Sequence, residues 1–322
     1  MQKVKKIIIS IICVVVAVLS IFLININTPL VVYPKKEYKQ VLSVWQIDTF
    51  SGGKGSRTAF LRNVANAYSK KHPEVLFLVV NHTLDSATKS ISEGKLPDLI
   101  SYGGGGLNFI EKFIKLKNYD VLDGDHNNDR YAVSWCKGGY FAIKKGNGEK
   151  VIIQDVNGGN IFLAVNSLQD EIKNFEICSE DYAYSLFTRT QNATLYGNQR
   201  NIVRLIKSGV TFESQPITFY NDMFQYISIT STDGQKIAFA NTFIDYLLSE
   251  DVQKKLVDIS MFSVNGYKLY SDNEHFSKFE NASVKYTISP FLQEQTIESI
   301  KKQSKQSFIT KENNKDLANY LK

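Results

Sequence analysis

The sequence predicts an α/β protein built around a mostly parallel sheet. Three observations support this fold class: an alternating β-rich run at Val41–Trp45, apolar residues at helical spacing in the segment that follows, and a continuous apolar run at Val75–Val80. Strands that alternate with helices in this way are typical of a parallel sheet with crossover helices. At 322 residues the chain is long enough for two lobes or one large domain.

The N-terminal segment has the pattern of a membrane-spanning helix. Lys3, Lys5 and Lys6 precede an apolar run of about 18 residues at 7–24, near the lower limit for crossing a bilayer. The lysines favour a cytoplasmic N-terminus, which places the bulk of the chain outside the cell membrane. The alternative is a cleaved signal peptide that releases a secreted protein, but no Ala-x-Ala-like site follows the run. We therefore expect an uncleaved anchor and a tether at 25–40.

The segment after the tether is predicted to alternate strands and helices. Ser56 is a suitable N-cap for a helix that continues to about Lys71, and the proline after His72 ends it because the residue before proline avoids the helical region. Gly94 is expected to end a second helix. In chain order the predicted elements are a strand at 41–45, a helix at 57–71, a strand at 75–80, a helix at 84–92 and a strand at 96–102.

The rest of the chain is predicted to mix strands and helices in the same way. Asn157–Asn160 is expected to join two strands, Val151–Ile153 and Ile161–Val165, as a hairpin. Gly209 is expected to end a helix over Gly197–Ser208. The other predicted elements are helices at 107–119, 180–186, 235–248, 249–259 and 297–308, and a strand that ends the segment 219–229.

Composition and spacing argue against several classes of function. The net charge is +6, but no basic stripe with interleaved aromatics appears, so we expect no nucleic-acid partner. The four histidines are isolated, which predicts no metal site, and we expect no cofactor. The acidic loop 120–130 lacks the glycine and terminal glutamate of a calcium-binding loop. Cys136 and Cys178 could form one disulfide, which does not amount to a disulfide scaffold.

Candidate ligand-binding residues follow two of the predicted strands. The glycine-rich loops at 52–57 and 103–106 both follow strands, and neither has the spacing of a phosphate-binding loop. Each is either a flexible turn or part of a site, because ligands of open α/β sheets bind beyond the carboxyl ends of the strands. The side chains that would reach one cleft there are Trp45, Asp48, Lys54, Arg57 and Tyr102.

Four stretches give the chain a family resemblance. They are KKHPEV at 70–75, GKLPDLISYG at 94–103, QRNIVRL at 199–205 and FIDYLLSEDVQ at 243–253. Together they resemble the extracellular solute-binding proteins of ABC importers, specifically the carbohydrate-type family 1. The resemblance implies the two-lobed, periplasmic-binding-protein-like fold of type II, with a cleft between the lobes. The N-terminal transmembrane helix predicted from the apolar run would precede the two lobes.

The resemblance also implies a division of the chain and further candidate residues. Trp135 and Tyr140 would either stack on a ligand or pack the hinge, Arg200 would either face the cleft or form a surface ion pair, and Tyr220 and Asp222 would reach the cleft. The resemblance covers roughly 41–270 and implies a first lobe at 41–135 and a second lobe with returning segments at 136–270. The residues outside it are predicted to form a membrane anchor or signal segment at 1–24, a tether at 25–40 and a helical tail at 271–322.

The function implied by the resemblance is the capture of a small solute without catalysis. The tryptophans and tyrosines suggest a sugar, held by polar groups and an aromatic ring as the hinge closes. The implied partners are the solute, the ABC permease subunits and the membrane. Two alternatives remain: an extracytoplasmic enzyme such as a hydrolase, for which no G-x-S-x-G or H-E-x-x-H motif is found, and a cell-envelope sensor or adhesion protein.

Overall fold

The structure, a computed structural model, describes residues 14–16, 38–105, 107, 109–121, 123–312 and 315–321. The predicted membrane anchor and most of the predicted tether lie outside these residues, except that 14–16 are helical. Within the described ranges, no helix is both long enough and apolar enough to cross a bilayer. Residues 38–322 form one compact unit, which contains two sheets.

Lobe 1 is built on a six-stranded mixed sheet. β1 runs parallel to β2 and β3, whereas β11 runs antiparallel to β3 and β5, and β4 runs antiparallel to β5. Alternate residues of β1, such as Leu42 and Val44, are buried in one core with Phe60 and Leu61 of the first helix. The strands are β1 (Gln40–Ile47), β2 (Val75–His82), β3 (Leu99–Gly103), β4 (Asp123–His126), β5 (Asp129–Lys137) and β11 (Phe224–Ile229), in the order β2-β1-β3-β11-β5-β4.

Lobe 2 is built on a five-stranded sheet. Its strands are β6 (Tyr140–Lys145), β7 (Lys150–Asp155), β8 (Phe175–Ser179), β9 (Ala193–Asn198) and β10 (Glu213–Ile217), in the order β10-β6-β9-β7-β8. β7 runs parallel to β8 and β9, whereas β6 runs antiparallel to β9 and β10. The carboxyl ends of β7, β8 and β9 therefore lie along one edge of this sheet.

The chain crosses between the two sheets at two neighbouring places, which form the hinge. β5 leads into β6 through Gly138-Gly139, and β10 leads into β11 through residues 218–223. The Asn221 side-chain amide joins the two crossings by donating a 2.9 Å hydrogen bond to the first glycine carbonyl. Phe262 adds a third segment, because its backbone exchanges hydrogen bonds of 2.8 and 3.1 Å with the last residue of β5.

Nine α-helices and four 3₁₀ turns complete the described parts of the chain. Ser56 confirms its predicted role as an N-cap, since its hydroxyl accepts a 3.2 Å hydrogen bond from the Ala59 amide. The helices are α1 (Arg57–Lys71), α2 (Leu84–Ser92), α3 (Ile161–Val165), α4 (Glu180–Arg189), α5 (Gln199–Lys207), α6 (Gly234–Leu247), α7 (Glu250–Gln253), α8 (Glu274–Glu280) and α9 (Glu294–Thr310). The 3₁₀ turns are Ile110–Lys112, Asn166–Leu168, Lys254–Ile259 and Lys315–Tyr320.

The helix predicted at 107–119 is wrong for the described part of that segment. Only Ile110–Lys112 turns, and the following residues are extended. Their amides bond to neighbouring strands: Ile114 donates to the Ile229 carbonyl at 2.9 Å, and Leu116 donates to the Arg130 carbonyl at 2.7 Å. These bonds to the sheet replace the hydrogen bonds that a helix would make within itself.

The hairpin predicted around Asn157–Asn160 is also wrong. Its second predicted strand, Ile161–Val165, is the helix α3, and all five of its residues are buried. Asn160 begins this helix, because its side-chain oxygen accepts a 3.4 Å hydrogen bond from the Leu163 amide. A short apolar run fits a buried strand and a buried helical turn equally well, so its periodicity did not distinguish them.

Two further segments contain strands that the sequence did not reveal. The predicted helix over Gly197–Ser208 begins only at Gln199, because residues 193–198 form β9. The acidic loop 120–130 contributes the hairpin of β4 and β5, whose two turn residues, Asn127 and Asn128, have φ of 52° and 66°. Positive φ at both positions is what a tight two-residue hairpin requires, and asparagine tolerates it.

Candidate functional site

The gap between the lobes is lined by residues that follow the carboxyl ends of β1 and β3 in lobe 1 and of β7 and β9 in lobe 2. The loops after β1 and β7 touch directly: the Ser51 amide donates a 3.0 Å hydrogen bond to the Asn157 carbonyl. The Asn198 side-chain amide donates to the Ser51 carbonyl at 2.9 Å. This arrangement is the usual place for a ligand site in open α/β sheets.

Gly158 permits the closest approach between the lobes. Its backbone has φ of +77°, and a Cβ atom at this position would overlap the Thr49 carbonyl group. Only glycine adopts this conformation readily and also leaves room for the facing backbone. The contact between Thr49 and Gly158 therefore divides the gap between the lobes into two parts.

Two cavities flank this contact, and a third lies beside lobe 2. The arginine cavity, of about 250 Å³, is lined by Asp48, Thr49, Phe50, Ser51, Gly52, Gly55, Arg57, Asn157 and Arg200. The acidic cavity, of about 240 Å³, is lined by Asp48, Thr49, Leu84, Gly104, Gly105, Asn157, Gly158, Glu294, Ile297, Glu298 and Lys301. The lysine cavity, of about 840 Å³, lies between residues 155–160, residues 177–180 and α9, and includes Lys301, Lys302 and Lys305.

Arg57 is held rigidly at the wall of the arginine cavity. Its Nε donates a 2.7 Å hydrogen bond to Asp48 Oδ1, and its Nη2 donates to the Phe50 carbonyl at 2.5 Å. The guanidinium also lies over the Phe50 ring, 4.0 Å from its centroid. The side chain is 7% exposed, and Nη1 has no hydrogen-bond partner in the part of the chain that the structure describes.

Arg200 reaches the same cavity from lobe 2. Its Nη1 donates a 3.1 Å hydrogen bond to the Ser51 hydroxyl and lies 3.8 Å from Glu180 Oε1. The Asn198 side chain caps the first turn of α5 and places Arg200 at the cleft end of that helix. Of the ten candidate residues, Asp48, Arg57 and Arg200 are thus brought together. Lys54 is exposed and lines none of the three cavities.

Three of the aromatic candidates lie within lobe 1, away from the three cavities. Trp135 is fully buried, donates from Nε1 to the Ser101 hydroxyl at 2.9 Å and stacks on Phe60. Tyr102 is also fully buried, and burial raises the pKa of its hydroxyl. Trp45 packs on His82, with ring centroids 4.3 Å apart. The structure therefore does not bring these three rings to the gap between the lobes.

The remaining candidates, Tyr140, Tyr220 and Asp222, form a buried cluster at the hinge. Asp222 Oδ1 accepts a 2.6 Å hydrogen bond from the Tyr140 hydroxyl, and Oδ2 accepts one of 3.0 Å from the Asn160 amide. Burial raises the pKa of the Asp222 carboxyl, although its hydrogen bonds and the charge of Lys301 oppose the rise. Burial and the Asp222 charge raise the pKa of Tyr220, whose hydroxyl makes no well-formed hydrogen bond to a described residue.

Helix α9 spans the side of the gap and touches both lobes. Ile297 fills the space over Gly105 of lobe 1, where φ is +80° and a Cβ atom would clash with its side chain. The Ser304 hydroxyl donates a 2.9 Å hydrogen bond to Asn160 Oδ1 of lobe 2, and Lys305 pairs with Asp155 at 2.9 Å. The helix predicted at 297–308 thus contributes one wall of the acidic cavity and one of the lysine cavity.

Several residues of the site were missed by the sequence analysis. Thr49, Ser51, Asn157 and Gly158 make the contact between the lobes, and Lys301 lines two cavities. Asn157 and Gly158 carry a recognisable signal, since they come two and three residues after the end of a partly buried strand, but the hairpin prediction assigned them to a turn. Lys301 had no signal of this kind, because nothing in a lysine-rich helix indicates which lysine faces a cavity.

The described residues show neither a disulfide nor a cluster for a metal. Cys136 and Cys178 are both buried free thiols. In the same residues, no group of three or more histidine, cysteine, aspartate or glutamate side chains has the geometry to hold a metal ion. Asp125 and Asp129, which belong to the acidic loop, pair with Arg130 at 3.5 Å and with Lys115 at 2.5 Å.

Comparisons with known proteins show similarity through the fold alone. No protein-family model matches the sequence, and the search of curated proteins finds no match. Solved structures do match: the apo form of RafE from Streptococcus pneumoniae superposes with a TM-score of 0.61 and 12% identity, covering 86% of this chain and 95% of RafE. The GacH receptor of Streptomyces glaucescens gives 0.57 and 11% identity, covering 86% and 95% of the two chains.

A third structure has the same fold with a ligand. The ABC substrate-binding protein Lmo0181 from Listeria monocytogenes, in complex with cycloalternan, gives a TM-score of 0.56 and 12% identity and covers 87% of this chain and 97% of Lmo0181. The expected two-lobed α/β fold is confirmed, because the two sheets match those of sugar-binding ABC substrate-binding proteins. These structural neighbours are binding proteins rather than enzymes.

Proposed function

We propose that this protein is an extracellular solute-binding protein that captures a carbohydrate for an ABC transporter. The observation that carries the proposal is the two-sheet fold, which matches sugar-binding receptors over 86–87% of the chain and includes cavities between the lobes. The protein would act by binding and closure, without catalysis. Its expected partners are the solute, the permease subunits of the transporter and the membrane.

The hinge geometry supports a mechanism of lobe closure. Strands of the two sheets are joined at 138–139 and 218–223, and the segment after Phe262 leads to α8, which packs on lobe 2. Rotation at these places would separate the loops at 48–52 and 157–158. Hinges of this kind concentrate a large backbone change in a few residues. A solute that contacts both lobes would favour the closed arrangement by its difference in affinity for the two states.

The chemistry of the cavity walls supports a polar solute held by hydrogen bonds. Asp48 supplies acceptors, Arg57 and Arg200 supply donors, and the Asn157 loop supplies backbone groups from the opposite lobe. Phe50 is the aromatic residue of the arginine cavity, and its face is covered by Arg57. A sugar bound there would be held by these polar groups, because the predicted aromatic platform of Trp45 and Trp135 lies elsewhere.

The location also belongs to the proposal. The apolar run at 7–24, with lysines on its N-terminal side, supports an anchor that leaves residues 38–322 outside the cell. An anchor of this kind would keep a solute receptor close to its permease, in the role that the resemblance implies.

The test is the thermal stability of the full chain against a panel of solutes. The chain is purified in a detergent without a sugar headgroup, which avoids competition for the site. A ligand at 100 times its dissociation constant adds about 2.7 kcal/mol to the free energy of unfolding, which raises the melting temperature by several degrees. We expect such a shift with one class of mono- or oligosaccharide. A shift only with amino acids or peptides contradicts the carbohydrate assignment, and no shift with any solute contradicts the receptor proposal.

A further inference from the structure

We propose that the arginine cavity binds an acidic group, a carboxylate or a phosphate, carried by a sugar-sized solute. This inference rests on the proposed function and names the class of solute more narrowly. It stands on the two guanidinium groups that reach one small cavity from opposite lobes, and on the buried donor that one of them leaves without a partner.

The first step is the geometry of Arg57. A guanidinium carries five N–H donors and no acceptor. Nε is used by Asp48 and Nη2 by the Phe50 carbonyl, while Nη1 and its two hydrogens have no described partner. The side chain is 7% exposed, and Nη1 itself is covered by surrounding protein atoms. Leaving a buried charged donor unsatisfied is costly, and a ligand oxygen would remove that cost once a small shift of the Arg57 side chain or of the adjoining loop opens Nη1 to the cavity.

The second step is the position of Arg200. It lines the same cavity from lobe 2, and it uses one nitrogen, Nη1, for its contacts with Ser51 and Glu180. Its side chain is 47% exposed, so its other donors can turn toward a ligand without breaking a buried network. An oxyanion between Arg57 and Arg200 would bridge the two lobes and favour the closed state.

The third step is the charge around the cavity. The charged residues that line it are Asp48, Arg57 and Arg200, two cations against one anion. Glu180 does not line this cavity, but its Oε1 lies 3.8 Å from Arg200 Nη1 and offsets part of that positive charge. The Asp48 carboxylate is partly neutralised by its 2.7 Å contact with Arg57 Nε. Paired guanidinium donors with no acceptor of their own match a carboxylate or phosphate better than a hydroxyl, which must also donate.

The fourth step is the size of the cavity and its surroundings. About 250 Å³ is below the usual range for a drug-sized ligand, which fits one small ring or one acidic group rather than an oligosaccharide. The neighbouring acidic cavity contains Asp48, Glu294 and Glu298, which can accept hydrogen bonds from sugar hydroxyls. The two cavities on either side of the contact between the lobes thus differ in the sign of their net charge. An acidic sugar with free hydroxyls requires such a pair, one cavity for its acidic group and one for its hydroxyls.

The experiment measures the affinity of the full chain, by titration calorimetry in a detergent without a sugar headgroup, for acidic sugars and their neutral counterparts. The probes are glucuronate and galacturonate for a carboxylate, glucose 6-phosphate for a phosphate, and glucose and galactose as neutral controls. We expect at least one acidic sugar to bind at least about tenfold more tightly than its neutral counterpart. The affinity for that acidic sugar should fall as the salt concentration is raised. The arm that binds identifies the acidic group.

Matched substitutions on α5 locate the effect. Arg200→Gln is expected to reduce the affinity for the acidic sugar about tenfold and to change that for a neutral sugar little. Arg204→Gln removes the same charge from the same helix, but Arg204 stacks on Tyr184, pairs with Asp181 and lines none of the three cavities, so binding should be unchanged. Arg57→Lys, which keeps the charge but loses the planar fork, should also weaken the acidic sugar if the variant folds.

The outcomes separate this inference from the proposed function. Tight binding of a neutral sugar with no preference for its acidic counterpart overturns the inference and leaves the carbohydrate receptor in place. A preference for acidic sugars that survives Arg200→Gln also overturns it, because the acidic group must then bind elsewhere. Binding of no sugar of either kind overturns both.

Discussion

The hinge cluster and the arginine cavity differ in how their charged groups are paired. In the hinge cluster of Tyr140, Tyr220 and Asp222, both carboxylate oxygens of Asp222 accept hydrogen bonds, one from the Tyr140 hydroxyl and one from the Asn160 amide. At the arginine cavity, the buried Nη1 of Arg57 has no described partner, and the Arg200 side chain is 47% exposed. A buried charge that is fully paired supports the fold, whereas an incompletely paired charge beside a cavity is a candidate for contact with a ligand.

The difference separates the ten candidate residues by chemistry. The large aromatic side chains Trp135, Tyr102, Tyr140 and Tyr220 are fully buried, because the burial of apolar area outweighs the cost of placing one polar atom inside. Of the charged candidates, Asp222 is buried at the hinge, whereas Asp48, Arg57 and Arg200 line the arginine cavity. Aromatic content by itself therefore does not indicate a sugar platform in this chain.

The largest effect on stability is expected for the substitution Trp135→Ala in the core of lobe 1. It removes a fully buried ring that stacks on Phe60, so we expect the free energy of unfolding to fall by about 3–5 kcal/mol, as measured by urea denaturation. Trp45→Ala is the matched control, since Trp45 is only half buried and packs on His82, and its loss should be clearly smaller. If Trp135→Ala is as stable as the wild type and loses ligand affinity, the division between core and cavity is wrong.

The next-largest effect on stability is expected for substitutions of Asp222 in the hinge cluster. Asp222→Ala leaves the Tyr140 hydroxyl and the Asn160 amide without their acceptor, which should lower the free energy of unfolding by about 3 kcal/mol. Asp222→Asn should cost much less, because its amide can donate to the Tyr140 hydroxyl while its oxygen accepts from Asn160. Equal losses in the two variants would show that the hydrogen bonds are not what stabilises this cluster.

The titration of Asp222 in the wild type makes the difference in stability between the wild type and each of these two variants depend on pH. Burial raises the pKa of the folded carboxyl above its ordinary value of 3.8, so the folded state holds the proton more tightly than the unfolded state does. Ionisation of Asp222 therefore reduces stability progressively as the pH rises from about 4 through the raised pKa. Asparagine does not titrate, so the stability of Asp222→Asn relative to wild type should improve as the pH rises from about 4 through the raised pKa of Asp222. A difference that stays constant over this range would contradict the raised pKa.

Much of lobe 1 could be predicted from local sequence, and much of the site could not. The helix after Ser56 and the strand at 75–80 were predicted because an N-cap, a proline stop and a continuous apolar run are local signals. The predictions for 107–119 and 161–165 were wrong because the backbone hydrogen bonds and the burial of these segments depend on distant strands and on α9. The same reason applies to the site, since no local pattern shows that Ser51 meets Asn157 across the gap.

A smaller effect is expected for the glycine at the contact between the lobes. Gly158→Ala adds the strain of a positive φ, about 1 kcal/mol, and also places a methyl group against the Thr49 backbone. We expect the lobes to be held apart, which small-angle scattering would detect as a larger radius of gyration. Gly209→Ala is the matched control, because its φ is +65° and a Cβ atom there meets open space. The same radius in both variants would mean that the loops are already apart in solution.

The substitution Arg200→Gln is expected to have the smallest effect on stability and the largest effect on binding. Arg200 is half exposed, and its contacts with the Ser51 hydroxyl and with Glu180 at 3.8 Å are weak, so Arg200→Gln should change the free energy of unfolding by about 0.5 kcal/mol or less. Urea denaturation in the absence of solute measures this change. A loss of several kcal/mol would show that Arg200, like Asp222, is needed for the stability of the fold. A negligible loss, together with a tenfold loss of affinity for an acidic sugar, would mean that the charge is retained for the ligand, because the fold does not require it.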